Sequence, residues 1–126
     1  MKPLTREWIK KAENDYLVSR KIFELEQSIF DAVSFHSQQC VEKYLKAVLQ
    51  ENVIPFEKTH NLGYLLDLCK DFVPELLNYE LELKELSNSA VEIRYPGSSV
   101  SRQDAQTHLA SARTVRRIIR RYFRSR

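Results

Sequence analysis

The fold is decided by residues 29–51, which read IFDAVSFHSQQCVEKYLKAVLQE. Apolar side chains recur in this stretch every three or four positions, as they do in a helix with a buried face. The apolar positions are Phe30, Val33, Cys40, Val41, Tyr44, Leu45, Ala47 and Val48, and the polar positions opposite them are Gln39, Glu42, Lys43, Lys46 and Gln50. Because the apolar arc is wide, the pattern predicts a central helix that packs on more than one neighbour.

Four further helical stretches flank this central helix. Their predicted bounds are Thr5 to about Leu25, Asn61 to a residue before Pro74, about Glu75 to Ile93, and Ser101 to about Phe123. Thr5 and Asn61 are predicted N-caps, and Ser101 with Asp104 three residues later resembles a capping box. Long helices with short connections predict an antiparallel up-and-down bundle of four main helices and one short helix.

One clear turn interrupts the helical pattern, at residues 94–99, which read RYPGSS. Pro96 biases Tyr95 away from helical backbone, and Gly97 permits a positive φ. The chain is therefore expected to reverse direction there, before the last helix.

The composition excludes several protein classes. Of the 126 residues, 43% are hydrophobic and 29% are charged, which is enough apolar surface for a core and argues against disorder. Two glycines and four prolines are too few for the turns of a β-sandwich or a doubly wound α/β domain. We expect an all-α chain forming a single domain over residues 1–126.

Neither a membrane span nor a signal peptide is predicted. No apolar run approaches the roughly 20 residues that a span needs, and residues 1–11 lack the apolar stretch of a secretory signal. We therefore expect a cytoplasmic protein with no membrane partner.

Cysteine and histidine provide no metal-site pattern. Cys40 and Cys69 lie within apolar helical patterns, which favours reduced, buried thiols over a disulfide. His36 and Cys40 stand four residues apart on one helix face, but a structural zinc needs four ligands. The sequence offers no two further ligands at a recognisable spacing from this pair. Core packing is the better interpretation, and we expect neither a metal nor another cofactor.

Charge is distributed unevenly, although the net charge is only +3. Residues 113–126 hold seven arginines and no acidic residue, while residues 1–112 hold 13 basic and 17 acidic side chains. On the predicted last helix, Arg113, Arg116, Arg117, Arg120, Arg121 and Arg124 occupy one arc beside the apolar one, and Arg102 falls on the same side. Guanidinium groups match phosphate geometry, so this row predicts contact with nucleic acid. There are two alternatives to nucleic acid. The row could bind an acidic partner protein, or it could be a solvated helix end whose cations complement the helix dipole.

Phe35 is a second surface candidate. It projects onto the polar side of the central helix, near Gln39, Glu42 and Lys46. An exposed ring there suggests an interface with a second copy of the chain, although isolated exposed rings are also common.

Three motifs together resemble the HEPN family. They are the helix SFHSQQCVEKYLKAVL at residues 34–49, then Thr59-His60-Asn61-Leu62, then Arg94-Tyr95-Pro96, in the order and at the separations expected of that family. The resemblance implies a helical bundle, usually a homodimer, and RNA or nucleotide as the ligand. It also implies a minimal nucleotidyltransferase as partner in a toxin–antitoxin-like pair.

Many HEPN proteins are ribonucleases that use an Arg, four to six residues, then a His. Here only Arg102 and His108 fit that spacing, and six helical positions place their side chains roughly 120° apart. The family's Arg corresponds more naturally to Arg94, after which no His follows at the required distance.

The leading hypothesis is therefore a binding module without an intact catalytic motif, in which Arg94 and the C-terminal arginines contact phosphate. Two alternatives remain open. One is a metal-independent endoribonuclease that uses Arg102 and His108, or Arg94 and His108. The other is a scaffold that only pairs with another chain.

Overall fold

Helices account for the regular structure in a computed structural model that describes residues 1–92 and 95–126. The helices are α1 (Pro3–Phe23), α2 (Phe30–Glu51), α3 (Leu62–Cys69), α4 (Glu80–Glu92) and α5 (Arg102–Arg124), and a 3₁₀ segment (Pro74–Tyr79) precedes α4. No strand occurs in those two ranges, so the all-α prediction is confirmed. None of the described helices combines the length and the apolar character needed to cross a bilayer.

The central position of α2 is also confirmed, because it packs against α1, α3, α4 and α5. Its Tyr44, Leu45 and Leu49 are fully buried. The order of contacts shows that α1 runs antiparallel to α2, since Ser19 meets Ser37 whereas Glu13 meets Tyr44. The same reasoning makes α5 antiparallel to α1, because Glu13 contacts Arg116 and Tyr16 contacts Arg113.

Two predicted N-caps are confirmed. The Asn61 side chain accepts a hydrogen bond from the Tyr64 backbone N–H at 3.1 Å, and the Ser101 hydroxyl accepts one from the Asp104 N–H at 3.0 Å. The predicted cap at Thr5 is wrong, because α1 begins at Pro3 and Thr5 is buried within its first turns. Proline suits a first helical position, since its missing N–H has no intrahelical partner to lose.

The predicted continuous helix from Glu75 to Ile93 is wrong in its first part. Residues 74–79 form a 3₁₀ segment, and the α-helical hydrogen bonding begins only at Glu80. A 3₁₀ turn is tighter than an α-turn and commonly joins α-helical segments. The predicted end of this helix at Ile93 lies outside the described residues.

The hydrophobic core falls into two clusters. The larger one joins α2 to α1, α3, α4 and α5, and the smaller one consists of Val33, Val100, Ala105 and Leu109 with Phe23 and Phe30 against it. The connection before α5 is fixed to α2, because the Val100 N–H donates to the Asp31 carboxylate at 2.8 Å. This attachment positions the start of α5 and therefore the arginines that follow along it.

Both cysteines are free thiols in the core, as expected. Cys69 donates to the carbonyl of Leu45 at 3.4 Å, and burial raises the pKa of its thiol to about 12. Burial also raises the pKa of Cys40. Both thiols are therefore protonated and unreactive at neutral pH.

Candidate functional site

The arginines of α5 lie beside its buried face, which contains Ala112, Val115 and Ile119. They do not form one uniform surface, however. The structure separates them by their partners into arginines that bind a carboxylate of the same chain and arginines that face solvent.

Arg116 and Arg120 bind a single carboxylate on α1. The Arg116 guanidinium donates to the two oxygens of Glu13 at 2.7 and 2.9 Å, and Arg120 donates to the same carboxylate at 3.0 Å. Tyr44 donates a further hydrogen bond to Glu13 at 2.5 Å. Burial alone would raise the pKa of Glu13, but the hydrogen bonds from Arg116 and Tyr44 and the charges of both arginines outweigh it, so the pKa lies below its usual value. These two arginines act mainly in holding α5 against α1.

Three other arginines face solvent. We call Arg113, Arg117 and Arg124 the outer arginines; all three are exposed. Arg113 donates to the Tyr16 hydroxyl at 3.1 Å, and in the part of the chain that the structure describes no carboxylate lies within 4 Å of any outer arginine. Arg121 is also exposed, but it forms an ion pair with Glu75 and so belongs with the arginines that bind a carboxylate of the same chain. The predicted row is therefore only partly available to an external anion.

Arg102 and His108 point to different partners. The Arg102 guanidinium carbon lies 5.4 Å from the ring centres of both Phe23 and Phe30. His108 is only 4% exposed, and its Nδ1 lies 2.6 Å from the Ser34 hydroxyl. Arg102 is exposed, and the structure records no contact between it and His108.

The surroundings of His108 favour the neutral imidazole. Burial lowers its pKa, and the charges of Asp104 and Glu85 offset only part of that effect. His108 lines a cavity of about 480 Å³ whose charged residues are Lys84, Glu85, Glu92 and Asp104. Because the carboxylates outnumber the single cation and repel phosphate, this lining is unfavourable to a nucleic-acid backbone.

A buried polar network, which the sequence pattern did not predict, lies on α2. Glu42 and Lys46, predicted on the polar side, are 3% and 5% exposed. The Glu42 carboxylate accepts from Lys46 at 2.8 Å and from Gln38 at 3.3 Å, and it lies 2.7 Å from Nδ1 of His60. Gln38 and His60 line a cavity of about 790 Å³ between α3 and α4. The members of this network fall within two of the motifs, residues 34–49 and Thr59-His60-Asn61-Leu62, but neither motif predicted their contacts.

Phe35 and His36 lie at the α1–α2 surface. Phe35 is 38% exposed, and its ring centre lies 5.2 Å from that of His36. His36 Nδ1 lies 2.9 Å from the Asp15 carboxylate, which also accepts from Lys43 at 2.6 Å. Across residues 1–92 and 95–126, no three side chains of the metal-ligating types come together.

Arg94, the remaining predicted phosphate ligand, lies outside the described residues. The candidate site that can be described therefore consists of the outer arginines on α5 and the adjoining surface of α1.

Comparison with known proteins agrees with this architecture. The model of the HEPN domain matches residues 5–122. A protein of Methanocaldococcus jannaschii named "Putative toxin MJ1304" is 30% identical over 129 aligned positions, covering 90% of this chain and 84% of that protein. The crystal structure of ST0689, an archaeal HEPN homologue, superposes with a TM-score of 0.73 at 23% identity, covering 95% of this chain and 97% of that one.

Proposed function

The chain belongs to the HEPN family, and from that premise we propose that it is an RNA-binding member that acts without catalysis in a toxin–antitoxin-like pair. The observation that carries the proposal is the exposure of Arg113, Arg117 and Arg124 along one helix, with no carboxylate of the described chain beside them. Guanidinium groups in this arrangement bind phosphates and release counterions.

The arrangement around His108 supports a role without catalysis. A ribonuclease of the Arg–His type needs the guanidinium on the phosphate and the imidazole within reach of the 2′-hydroxyl or the leaving oxygen. Here Arg102 contacts two aromatic rings, while His108 is buried and bonded to Ser34. Arg102 is exposed, but the buried imidazole of His108 makes no contact with it.

The proposed partners follow from the family. A homologue named as a putative toxin supports a place in a toxin–antitoxin-like pair. We propose a minimal nucleotidyltransferase as the partner chain, as the HEPN resemblance implies. We further propose that the protein is a homodimer, with exposed Phe35 on the interface between copies.

The proposal is tested by fluorescence anisotropy with a labelled single-stranded RNA at low ionic strength. The triple variant Arg113→Gln, Arg117→Gln, Arg124→Gln is expected to bind about 10- to 100-fold more weakly than the wild type, because three phosphate contacts are lost. The matched control is Lys11→Gln, Lys58→Gln, Lys70→Gln, which removes the same charge from exposed positions elsewhere. Equal weakening in both triple variants would show that only net charge matters and would contradict the proposal.

The endoribonuclease alternative has one observation in its favour, which is that His108 lines an open cavity despite its burial. It requires that Arg102 or Arg94 approach this cavity. Cleavage of RNA by the wild type but not by His108→Ala would separate this alternative from the proposed role.

A further inference from the structure

A small cavity lies between the beginning of α1 and the end of α5. Its volume is about 300 Å³, which is the lower end of the range for ligand sites. It is lined by Met1, Arg6, Ile9, Arg120, Phe123 and Arg124. Three of these six residues are arginines and none is acidic.

The cations come from two helices that are distant in sequence. Arg6 of α1 is exposed and stands outside the arginine row that the sequence pattern identifies, yet the antiparallel contact of α1 with α5 brings it to Arg120 and Arg124. Arg120 shares its charge with Glu13, whereas no carboxylate of the described residues lies within 4 Å of Arg6 or Arg124. The cavity therefore has an uncompensated positive charge on both of its helical walls.

The remaining wall is apolar. Ile9 and Phe123 are half-buried and both pack against the main core, and the Phe123 ring lies edge-on to Tyr122 at 5.1 Å between ring centres. An apolar wall beside guanidinium groups suits a ligand that carries phosphate on a ring-containing body. A simple inorganic anion would leave this wall unused.

The phosphate groups of an RNA strand differ in charge. An internal phosphodiester carries one negative charge, whereas a phosphomonoester carries between about 1.5 and 2 at neutral pH. A site with two guanidinium groups that lack a carboxylate partner, and a third that is paired with Glu13, therefore favours the monoester. Each additional charge-assisted hydrogen bond strengthens that preference.

We propose that this cavity binds the terminal phosphomonoester of an RNA strand whose body lies along the outer arginines. The inference rests on the proposed function, because Arg124 belongs to both surfaces. A free nucleoside monophosphate has the same chemistry, so the experiment must separate a strand end from a free nucleotide.

The test measures the affinity of wild type for one short RNA in three forms, with a 5′-phosphate, with a 3′-phosphate and with hydroxyls at both ends. One phosphorylated form is expected to bind about 10-fold more tightly than the hydroxyl form, the equivalent of one hydrogen bond to a charged group. Arg6→Gln should abolish this preference and leave the affinity for hydroxyl RNA unchanged. Lys11→Gln, on the opposite face of α1, should retain the preference. Adenosine monophosphate as a competitor separates a strand end from a free nucleotide. If it displaces only the phosphorylated RNA, the result supports the strand end as ligand. If it binds the protein directly and as tightly as the RNA does, the result supports the free nucleotide.

Three results would overturn the inference and leave the proposed function intact. They are equal affinity of the wild type for all three RNA forms, a phosphate preference that survives Arg6→Gln, and binding of adenosine monophosphate as tight as that of the phosphorylated RNA. Absence of binding to every RNA form at low salt would instead contradict the proposed function.

Discussion

The carboxylate of Glu13 accepts two hydrogen bonds from the guanidinium of Arg116, at 2.7 and 2.9 Å, across 103 residues of sequence. This two-point pair joins the first helix to the last. It also withdraws Arg116 from the surface on which the sequence pattern placed it. The same contact therefore contributes to the stability of the bundle and limits the arginines that can bind an external phosphate.

Replacement of Glu13 by Gln is expected to reduce the free energy of unfolding by about 1–3 kcal/mol, because hydrogen bonds to charged groups are lost at a partly buried position. Urea unfolding followed by circular dichroism measures this loss. The control is Glu80→Gln, which removes an exposed ion pair with Lys84 and should cost less than about 0.5 kcal/mol. A Glu13→Gln protein as stable as the control would show that the Arg116 pair contributes little.

The effect of Glu13 should depend on pH. Its pKa in the folded chain lies below the ordinary value of 4.5, so its contribution is present above that pH and is lost as the pH falls through the folded pKa. The difference in unfolding free energy between wild type and Glu13→Gln should therefore be largest near neutral pH and shrink below about pH 4.5. A difference that stays constant from pH 7 to pH 3 would contradict the assigned ion pairs.

Glu42→Gln should destabilise the chain by about 3–5 kcal/mol, because it leaves Lys46 buried without its carboxylate partner. Thermal and urea unfolding measure this loss. The double variant Glu42→Gln, Lys46→Met removes both charges and should recover most of it. If the double variant is as unstable as the single one, the loss of stability arises from lost packing or from the lost contacts of Gln38 and His60. The unpaired charge of Lys46 would then not be its cause.

His108→Ala tests the enzymatic alternative. Wild type and variant are incubated with single-stranded RNA in EDTA, and the products are separated on a denaturing gel. We expect cleavage by neither protein, because His108 is held by Ser34 away from Arg102. Cleavage by the wild type that His108→Ala abolishes would establish the endoribonuclease and contradict a role without catalysis.

Phe35→Asp tests the proposed dimer. The exposed ring lies on α2, and a buried charge at an interface between copies would oppose association. Size-exclusion chromatography with light scattering should give a dimer for the wild type and a monomer for this variant. Leu81→Asp, at a residue that is 80% exposed on α4, should remain dimeric. An unchanged mass for Phe35→Asp would remove Phe35 from the interface.

Local patterns predicted the fold well. The apolar arc of residues 29–51 correctly indicated a helix with several neighbours, and Asn61 and Ser101 form the expected caps. These features depend on residues a few positions apart, so periodicity and capping chemistry suffice. The prediction at Thr5 failed because a proline two residues earlier offered an equally good start.

Long-range pairing explains what the sequence could not predict at the site. The periodicity of α2 placed Glu42 and Lys46 opposite the core, but both are buried. The rings of Trp8 and Phe56 lie over Lys46, and His60 contacts Glu42. The helical wheel of α5 likewise placed six arginines in a row, but it could not reveal that Glu13 and Glu75 bind three of them. Arg6 was missed because it joins the cavity only through tertiary contact.

The most direct test of the central claim is the slope of log K against log salt for single-stranded RNA. Each phosphate contact contributes about −0.7 to this slope, so loss of Arg113, Arg117 and Arg124 should make it shallower by about 2. The triple lysine variant should retain the wild-type slope. Identical slopes for wild type and the triple arginine variant would mean that the outer arginines do not contact phosphate, and would contradict the account.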